Sequence, residues 1–215
     1  MKICVAGWYF RQPFLDAVAM SGYAAFVVKH REGDTGILAS ALHENRGLEF
    51  GAYRQYVENH WDGVSDVFFC HDDAAVSDIA AFADVERLNE MGVDQAYIFH
   101  DENEEYVNGG AHGRGVWIRG SILKLLSEDF PADMENTGTN IGVIAQKGIL
   151  DFHKRVMAIS RNAGVIALVP QFRFGHRGRI YESMFVYRKT PDRTGRTRED
   201  IHTETSAVLR AIEAS

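Results

Sequence analysis

Residues 48–73 read LEFGAYRQYVENHWDGVSDVFFCHDD, and this stretch carries the two periodicities from which the fold is predicted. Aromatic and apolar side chains recur at helical spacing in its first part, which predicts an amphipathic helix over Leu48–His60. The second part, Val64–Cys70, ends in the apolar run VFFC and predicts a buried strand. The tripeptide His71–Asp73 follows at once, so a histidine and two carboxylates are expected at the carboxyl end of that strand.

Strands and helices alternate on both sides of this stretch as well. Apolar runs predict further strands at Lys2–Val5, Ala24–Val28 and Gln95–Phe99. Helices are expected over Pro13–Met20 and Ser77–Met91. This alternation predicts an α/β fold with a mostly parallel sheet and helices on both faces. Later helices are predicted over Ser121–Leu126, 149–164 and 199–215. A strand is predicted at Thr139–Ala145, and a strand or loop at Val165–Leu168.

The composition is that of an ordinary globular protein. The 215 residues are 46% hydrophobic and 25% charged, which suits one domain over residues 1–215 and excludes disordered, collagen-like and disulfide-scaffold chains. The formal net charge of −7 disfavours a sequence-blind nucleic-acid binder, because such proteins are usually basic. Cys4 and Cys70 lie in apolar runs and are expected to be buried, reduced thiols. With no signal-like N-terminus and no membrane span, we expect a soluble, cytoplasmic protein.

The ends of the predicted strands carry the most informative residues. In open α/β sheets, ligands bind beyond the carboxyl ends of the strands. The segments that fall there are Gly7-Trp8, His30–Asp34, His71–Asp73 and His100-Asp101. Three of the four contain His, Asp or Glu, so a site is predicted at this edge of the sheet.

Asp72 and Asp73 are the strongest candidates among them. Adjacent carboxylates repel each other, a cation is the usual compensation, and oxygen ligands suit Mg²⁺ or Mn²⁺. Such an ion would hold a diphosphate and act as a Lewis acid on a leaving group. The alternative is a solvated Asp-Asp pair that begins a turn or caps the next helix.

The segment before the helix at residue 48 has the features of an anion site. Asn45 and Arg46 precede that helix, and Gly47 and Gly51 flank its start. Free N–H groups at a helix N-terminus, together with an arginine, attract anions. The alternative is an asparagine cap beside a solvated arginine. The sequence has no P-loop, and no GxGxxG fingerprint follows the first strand.

Three segments together resemble a known family. They are ENRGLEFGAYRQYVENHWDGVSDVFFCHDD, NTGTNIGVIAQKGILDF and HRGRIYESMF, which begin at residues 44, 136 and 176. In order and spacing they resemble small glycosyltransferases of the GT-A fold, in particular the rhamnan-synthesis protein F group and its relatives, over residues 1–188. The acidic motif is His-Asp-Asp where the family has Asp-x-Asp, and the chain is short for the group.

This resemblance implies a GT-A-like (Rossmann-like) mixed, mostly parallel sheet flanked by helices, and a UDP- or dTDP-sugar donor. Residues 1–75 would bind the donor and residues 95–190 the acceptor. Donor contacts are expected from Gly7, Trp8, His30, Arg31, Asn45, Arg46 and Asp72. Asp72 and Asp73 would hold Mn²⁺ or Mg²⁺. The acceptor-side segment would include Thr139 and Asn140.

Transfer with inversion needs a base within hydrogen-bond reach of the acceptor hydroxyl. Glu182 is the first candidate, because the resembling motif has an acid there. Arg177 and Arg179 would hold it ionised or bind phosphate. Asp101 is the second candidate. The alternative for Glu182 is a salt-bridged acid among neighbouring arginines.

The segment Asn108–Gly120 contains five glycines, one histidine and two arginines. Such a segment can fold over a ligand as a lid, with Trp117 stacking on a sugar or base and Arg114 beside it. The alternative is an irregular connection with Trp117 buried.

Several functions remain open at the level of the sequence. The acceptor is expected to be a glycan, and a modified base in phage-type DNA is an alternative. Basic residues that could face a DNA backbone cluster late in the chain, at Arg173, Arg177, Arg179, Arg188, Lys189, Arg193, Arg196 and Arg198. The sequence is also compatible with a metal-dependent phosphoesterase and with a non-catalytic sugar-nucleotide-binding module.

Overall fold

The fold is given by a computed structural model. It describes residues 1–76, 78–90, 92–98, 115–132, 134, 148, 151–152 and 154–160, and the backbone of residues 165–166, 172–176 and 179–182. The expected strand Thr139–Ala145 and the expected helix at 199–215 lie outside these residues.

The strands, in chain order, are β1 (Lys2–Gly7), β2 (Ala24–Lys29), β3 (Ala39–Leu42), β4 (Val67–His71), β5 (Ala74–Val76), β6 (Gln95–Tyr97), β7 (Gly115–Ile118), β8 (Val165–Ile166), β9 (Phe172–His176) and β10 (Arg179–Glu182). Within the described residues, seven of them form one sheet in the order β3–β2–β1–β4–β7–β6–β8, and three form a second sheet in the order β10–β9–β5. In the large sheet β7 is antiparallel to both neighbours, and the other pairs are parallel. The prediction of an α/β fold with a mixed, mostly parallel sheet is confirmed.

The helices are α1 (Gln12–Met20), α2 (Leu48–Asn59), α3 (Ala81–Glu86) and α4 (Gly120–Leu126), and single 3₁₀ turns follow α3 and α4 at Arg87–Asn89 and Ser127–Asp129. The predictions of α1, α2 and α4 are confirmed to within a residue. α3 is shorter than the predicted helix Ser77–Met91, and both ends of that prediction lie outside the described residues. Helical residues also occur at 148, 151–152 and 154–159, where Phe152 and Val156 are buried as the predicted periodicity requires.

Both faces of the large sheet are covered. Alternation along β1 sends Ile3 and Val5 into the core under α1 and α3, and Cys4 and Ala6 into the core under α2 and α4. A parallel strand that is covered on both faces is apolar throughout, as the run ICVA is. Cys4 and Cys70 are buried free thiols in different cores, as predicted.

The start of β4 and the position of Trp117 also differ from the expectations. β4 begins at Val67 and not at Val64, because Oδ1 of Asp62 accepts the N–H groups of Val64 and Ser65 at 3.0 and 2.9 Å and forms a turn there. Of the two alternatives for Trp117, burial is confirmed, and stacking on a ligand in a lid is contradicted. The run GVWI forms β7 between β4 and β6, and the Trp117 side chain is fully buried in the core.

The order of the strands creates one reversal near the centre of the sheet. From β1 the chain runs outward through β2 to β3, then returns to β4 on the other side of β1. None of the helices in the described part of the chain is long and apolar enough to cross a bilayer.

Candidate functional site

The reversal between β1 and β4 defines the candidate site. Open α/β sheets bind ligands in the crevice beyond the carboxyl ends of the strands, where the strand order reverses. Here those ends are Gly7-Trp8 on β1 and His71–Asp73 on β4, with His30 at the end of the neighbouring β2. The structure therefore brings together three of the four segments predicted from the sequence. The fourth, His100-Asp101, lies outside the described residues.

Asp72 joins the two sides of this crevice. Its Oδ2 accepts the backbone N–H groups of Trp8, Tyr9 and Phe10 at 2.8, 2.8 and 2.6 Å, and the side chain is fully buried. Burial raises the pKa of the Asp72 carboxyl, while the imidazole of His71 and the three N–H groups act in the opposite direction. A buried carboxylate thus fixes the loop that follows β1.

That loop has a strained backbone and a tightly packed aromatic ring. Phe10 has a φ of 52°, which is rare for a residue with a side chain. Its ring fills space left by two glycines, because a Cβ atom at Gly33 would lie 2.1 Å from the ring and one at Gly7 would lie 3.2 Å from it. The Arg31 guanidinium lies 5.4 Å from the ring centre of Trp8 and 5.7 Å from that of Phe10. The loop and the end of β2 therefore form one wall of aromatic rings and positive charge.

His71 lies between the two carboxylates. Its Nδ1 is 3.3 Å from Oδ1 of Asp72 and 3.0 Å from Oδ1 of Asp73, and the N–H of Asp73 also lies 3.3 Å from Nδ1. Nδ1 cannot accept from the amide and donate to a carboxylate at once, and two facing acidic oxygens favour a proton on Nδ1. The Tyr9 ring packs edge-on against the imidazole, with 5.6 Å between ring centres.

His30 links β2 to helix α2 and to the segment before it. Its Nε2 lies 2.9 Å from Oε1 of Gln55, and Nε2 of Gln55 donates to the carbonyl of Glu44 at 3.0 Å. Burial lowers the pKa of His30, as do the nearby His71 and His43, and the bond to Gln55 opposes the change. His30 is thereby oriented as an Nε2–H donor toward the helix.

The two glycines before α2 allow its unusual start. Gly47 is the N-cap residue, with a φ of 70°, and Leu48 follows with a φ of 52°. A Cβ at Gly51 would lie 1.5 Å from the carbonyl oxygen of Arg46, so only glycine fits there. The alternative of an Asn45 cap is wrong. Oδ1 of Asn45 is buried without a hydrogen-bond partner among the described residues.

Arg46, expected to reach a diphosphate, is exposed. It forms an ion pair with Glu44, with 2.8 Å between Nε and Oε2. Such a surface pair contributes little to stability, so the guanidinium can exchange Glu44 for another anion at small cost.

The second sheet contains the backbone of Glu182, the proposed base, and the strand that follows the acidic tripeptide. β5 directly follows Asp73, and it pairs with β9, which pairs with β10. The register aligns the backbones of Ala75, Arg173 and Glu182 in one row. Two strand spacings separate Ala75 from Glu182, or about 10 Å. Arg179 also lies on β10, whereas Asp101, Arg114, Thr139, Asn140 and Arg177 lie outside the described residues.

Mg²⁺ and Mn²⁺ require several oxygen ligands around one point. The described residues contain no group of three or more His, Cys, Asp or Glu side chains placed to hold a metal ion. Asp72 and Asp73 have no exposed surface, and three N–H groups surround Oδ2 of Asp72. In this arrangement Asp72 does not fit a divalent cation. The metal requirement stays a prediction, and no chemical step is derived through it.

Tyr9, Phe10 and Gln55 belong to this site and were not predicted from the sequence. The sequence could have indicated Gln55, because it is a polar residue on the buried face of α2, one turn after Gly51. The sequence could not have indicated Phe10, because the conformation of Phe10 depends on Asp72, which is far away in the sequence.

A comparison of the chain with protein-family models gives no match, and a comparison with curated proteins gives none either. The function must therefore be inferred from the site itself.

Proposed function

We propose that this chain is a glycosyltransferase of the GT-A type, which transfers a sugar from a UDP- or dTDP-sugar to an acceptor hydroxyl. One observation carries the proposal. The aromatic and cationic wall of Trp8 and Arg31 lies with His30 beyond the carboxyl ends of β1 and β2, next to the buried His71–Asp73 tripeptide at the end of β4. The mixed, mostly parallel sheet supports the GT-A assignment, and so does the order of the three resembling segments.

The donor would be held by stacking and by charge. The Trp8 ring offers an apolar surface for a nucleoside, and Arg31 lies against that ring. Arg31 and Arg46 are both exposed cations and would neutralise the diphosphate, which stabilises it as a leaving group.

The transfer step is assigned to the acceptor half. The acceptor oxygen forms a bond to the anomeric carbon, and the bond from that carbon to the diphosphate oxygen breaks with its electron pair leaving on the diphosphate. The proton of the acceptor hydroxyl passes to Glu182, or to Asp101 as the second candidate. A glycan is the proposed acceptor. With duplex DNA as acceptor, activity would depend steeply on salt.

Thermal unfolding with a panel of nucleotides and nucleotide sugars, each with and without Mn²⁺, tests the proposal. One nucleotide sugar should raise the midpoint, with about 2.7 kcal/mol of stabilisation at a hundred times its dissociation constant. If Asp73 holds the metal, the Mn²⁺-dependent part of the shift should disappear in Asp73→Asn and persist in Asp84→Asn, a control on helix α3. A flat response of the folded protein to the whole panel would contradict the proposal. Where a nucleotide sugar does bind, a turnover assay must separate sugar transfer from phosphate-ester hydrolysis and from binding alone.

A further inference from the structure

Asp72 occupies an anion-binding position that the chain itself creates. Three successive N–H groups, from Trp8 to Phe10, converge on one oxygen atom at 2.6–2.8 Å. Convergent backbone N–H groups form the kind of concavity that binds phosphate or carboxylate groups. Here a fully buried carboxylate that follows β4 fills it.

The same three bonds hold a loop that would not adopt this shape alone. A φ of 52° at Phe10 is unfavourable for a residue with a side chain. Three N–H groups that donate to one carboxyl oxygen offset this strain. The loop in turn presents Trp8 to the crevice and to Arg31.

Asp73 differs from Asp72 in this respect. It is equally buried, but its Oδ1 lies 3.0 Å from Nδ1 of His71, whereas Oδ2 of Asp72 receives the amides of the β1 loop. The two adjacent acids are therefore not equivalent, although the sequence presents them as a pair.

We propose that Asp72 is a positioning residue and not a metal ligand: through Oδ2 it holds the Trp8–Phe10 loop in the conformation that receives the nucleotide. The assignment to a nucleotide rests on the proposed function. The anchoring of the loop does not, and it can be tested without any ligand.

Hydrogen exchange of the backbone amides tests the anchoring. In Asp72→Ala the amides of residues 8–10 should exchange at least about tenfold faster than in the wild type, because the hydrogen bonds of all three amides are lost. In Asp72→Asn, which keeps an acceptor oxygen, the exchange rates of these amides should lie between those of the wild type and those of Asp72→Ala. Asp73→Asn should leave these amides protected. Unchanged exchange at residues 8–10 in a folded Asp72→Ala or Asp72→Asn protein would overturn the proposal.

The extent of the change separates positioning from general destabilisation. A loop anchor affects residues 8–10, while β1 and β4 remain protected. Faster exchange spread equally over β1, β4 and the loop would mean that Asp72 only stabilises the fold, and this would overturn the proposal as well. Where Asp72→Ala does not fold, Asp72→Asn gives the same comparison.

Titration with UDP tests the link to the ligand. UDP should bind Asp72→Asn and Asp72→Ala at least about tenfold more weakly than the wild type, and Asp84→Asn with unchanged affinity. A loosened loop with unchanged UDP affinity would overturn the positioning role. A wild-type protein that binds neither UDP nor any other nucleotide of the panel would contradict the proposed function, and the exchange data would still decide whether Asp72 anchors the loop.

Discussion

The carboxyl-end and amino-end edges of the large sheet each contain an aspartate that is bonded across the fold, yet the two clusters differ. At the amino-end edge, Asp94 accepts from Arg119 at 3.2 Å and from the Ser160 hydroxyl at 2.7 Å. Arg119 also donates to the Val93 carbonyl at 2.8 Å and to Asn89. Each of these partners has opposite charge or complementary polarity, and the result is a clamp.

The carboxyl-end edge is less well satisfied. Asp72 is fully buried and its contacts include no Lys or Arg among the described residues, Phe10 is strained, and Oδ1 of Asn45 has no described partner. Strain and incomplete hydrogen bonding concentrate at functional sites, because elsewhere they only cost stability. We therefore expect the amino-end edge to contribute mainly to stability, and we propose that the ligand binds at the carboxyl-end edge.

Two glycines give the largest expected effects and a matched test. A Cβ at Gly51 would lie 1.5 Å from the Arg46 carbonyl, and one at Gly120 would lie 2.1 Å from the Val64 carbonyl. Each change to alanine should lower the free energy of unfolding by about 3 kcal/mol, measured by urea denaturation. Only Gly51→Ala should also weaken UDP binding, because Gly51 supports the Asn45–Gly47 segment. Equal losses of UDP affinity in both variants would contradict the proposed difference between the two edges.

The clamp gives the next largest effect. Arg119→Ala removes several hydrogen bonds at a position with limited exposure, and the free energy of unfolding should fall by about 2 kcal/mol. The UDP affinity of the folded variant should be unchanged. Arg87→Ala, which breaks an exposed Arg87–Asp84 pair with 3.0 Å between the charged atoms, should cost less than about 0.5 kcal/mol. Weakened UDP binding in Arg119→Ala would contradict the division between the edges.

A change at Arg31 should affect UDP affinity and leave stability nearly unchanged, the reverse of the effect expected at Arg119. Arg31→Ala removes an exposed cation from the wall beside Trp8, so UDP should bind about tenfold more weakly, which corresponds to about 1.4 kcal/mol. The free energy of unfolding should change by less than about 0.5 kcal/mol. Isothermal titration and urea denaturation of the same preparation measure both quantities. A large loss of stability with normal UDP affinity would place Arg31 in the scaffold.

The smallest effect concerns pH, at a pair of histidines of which His43 follows β3 and His60 ends α2. Nε2 of His43 and Nε2 of His60 lie 3.3 Å apart, and His60 stacks on Phe26. Burial, followed by the nearby His43, lowers the pKa of His60 from its ordinary value of 6.5. The unfolded chain therefore takes up the proton first as the pH falls, so this contribution to stability is complete above pH 6.5 and is lost below it.

Urea denaturation at pH 7.5 and 5.5 measures this effect. His60→Gln should show a smaller decrease in stability between the two pH values than the wild type. A residual decrease is expected from His30, whose pKa burial also lowers. An identical decrease in both proteins would exclude the histidine pair as its source.

The elements with strong periodicity could be predicted from the sequence. Helix α2 and strand β4 carry clear apolar patterns, and β4 ends at His71 beside the end of β1, as expected. β7 was missed because its four residues follow a glycine-rich stretch that favours a loop. The sequence therefore leaves open both a lid and a buried connection for Trp117, and the structure shows it buried in a strand.

The organisation of the site could be predicted only in part. The sequence shows two adjacent acids but not that Asp72 bonds to amides more than 60 residues away. Such contacts depend on which strands become neighbours, and the reversal at β1 is a property of the whole sheet. The left-handed conformation of Phe10 and the close packing at Gly33 follow from the same long-range contacts.

Hydrogen exchange with and without UDP tests the central claim most directly, namely that the crevice between β1 and β4 binds the nucleotide. We expect slower exchange at residues 7–12, 29–34 and 71–74, and no change at residues 119–126 on the opposite edge. Protection confined to other parts of the chain, or none with any nucleotide of the panel, would contradict it.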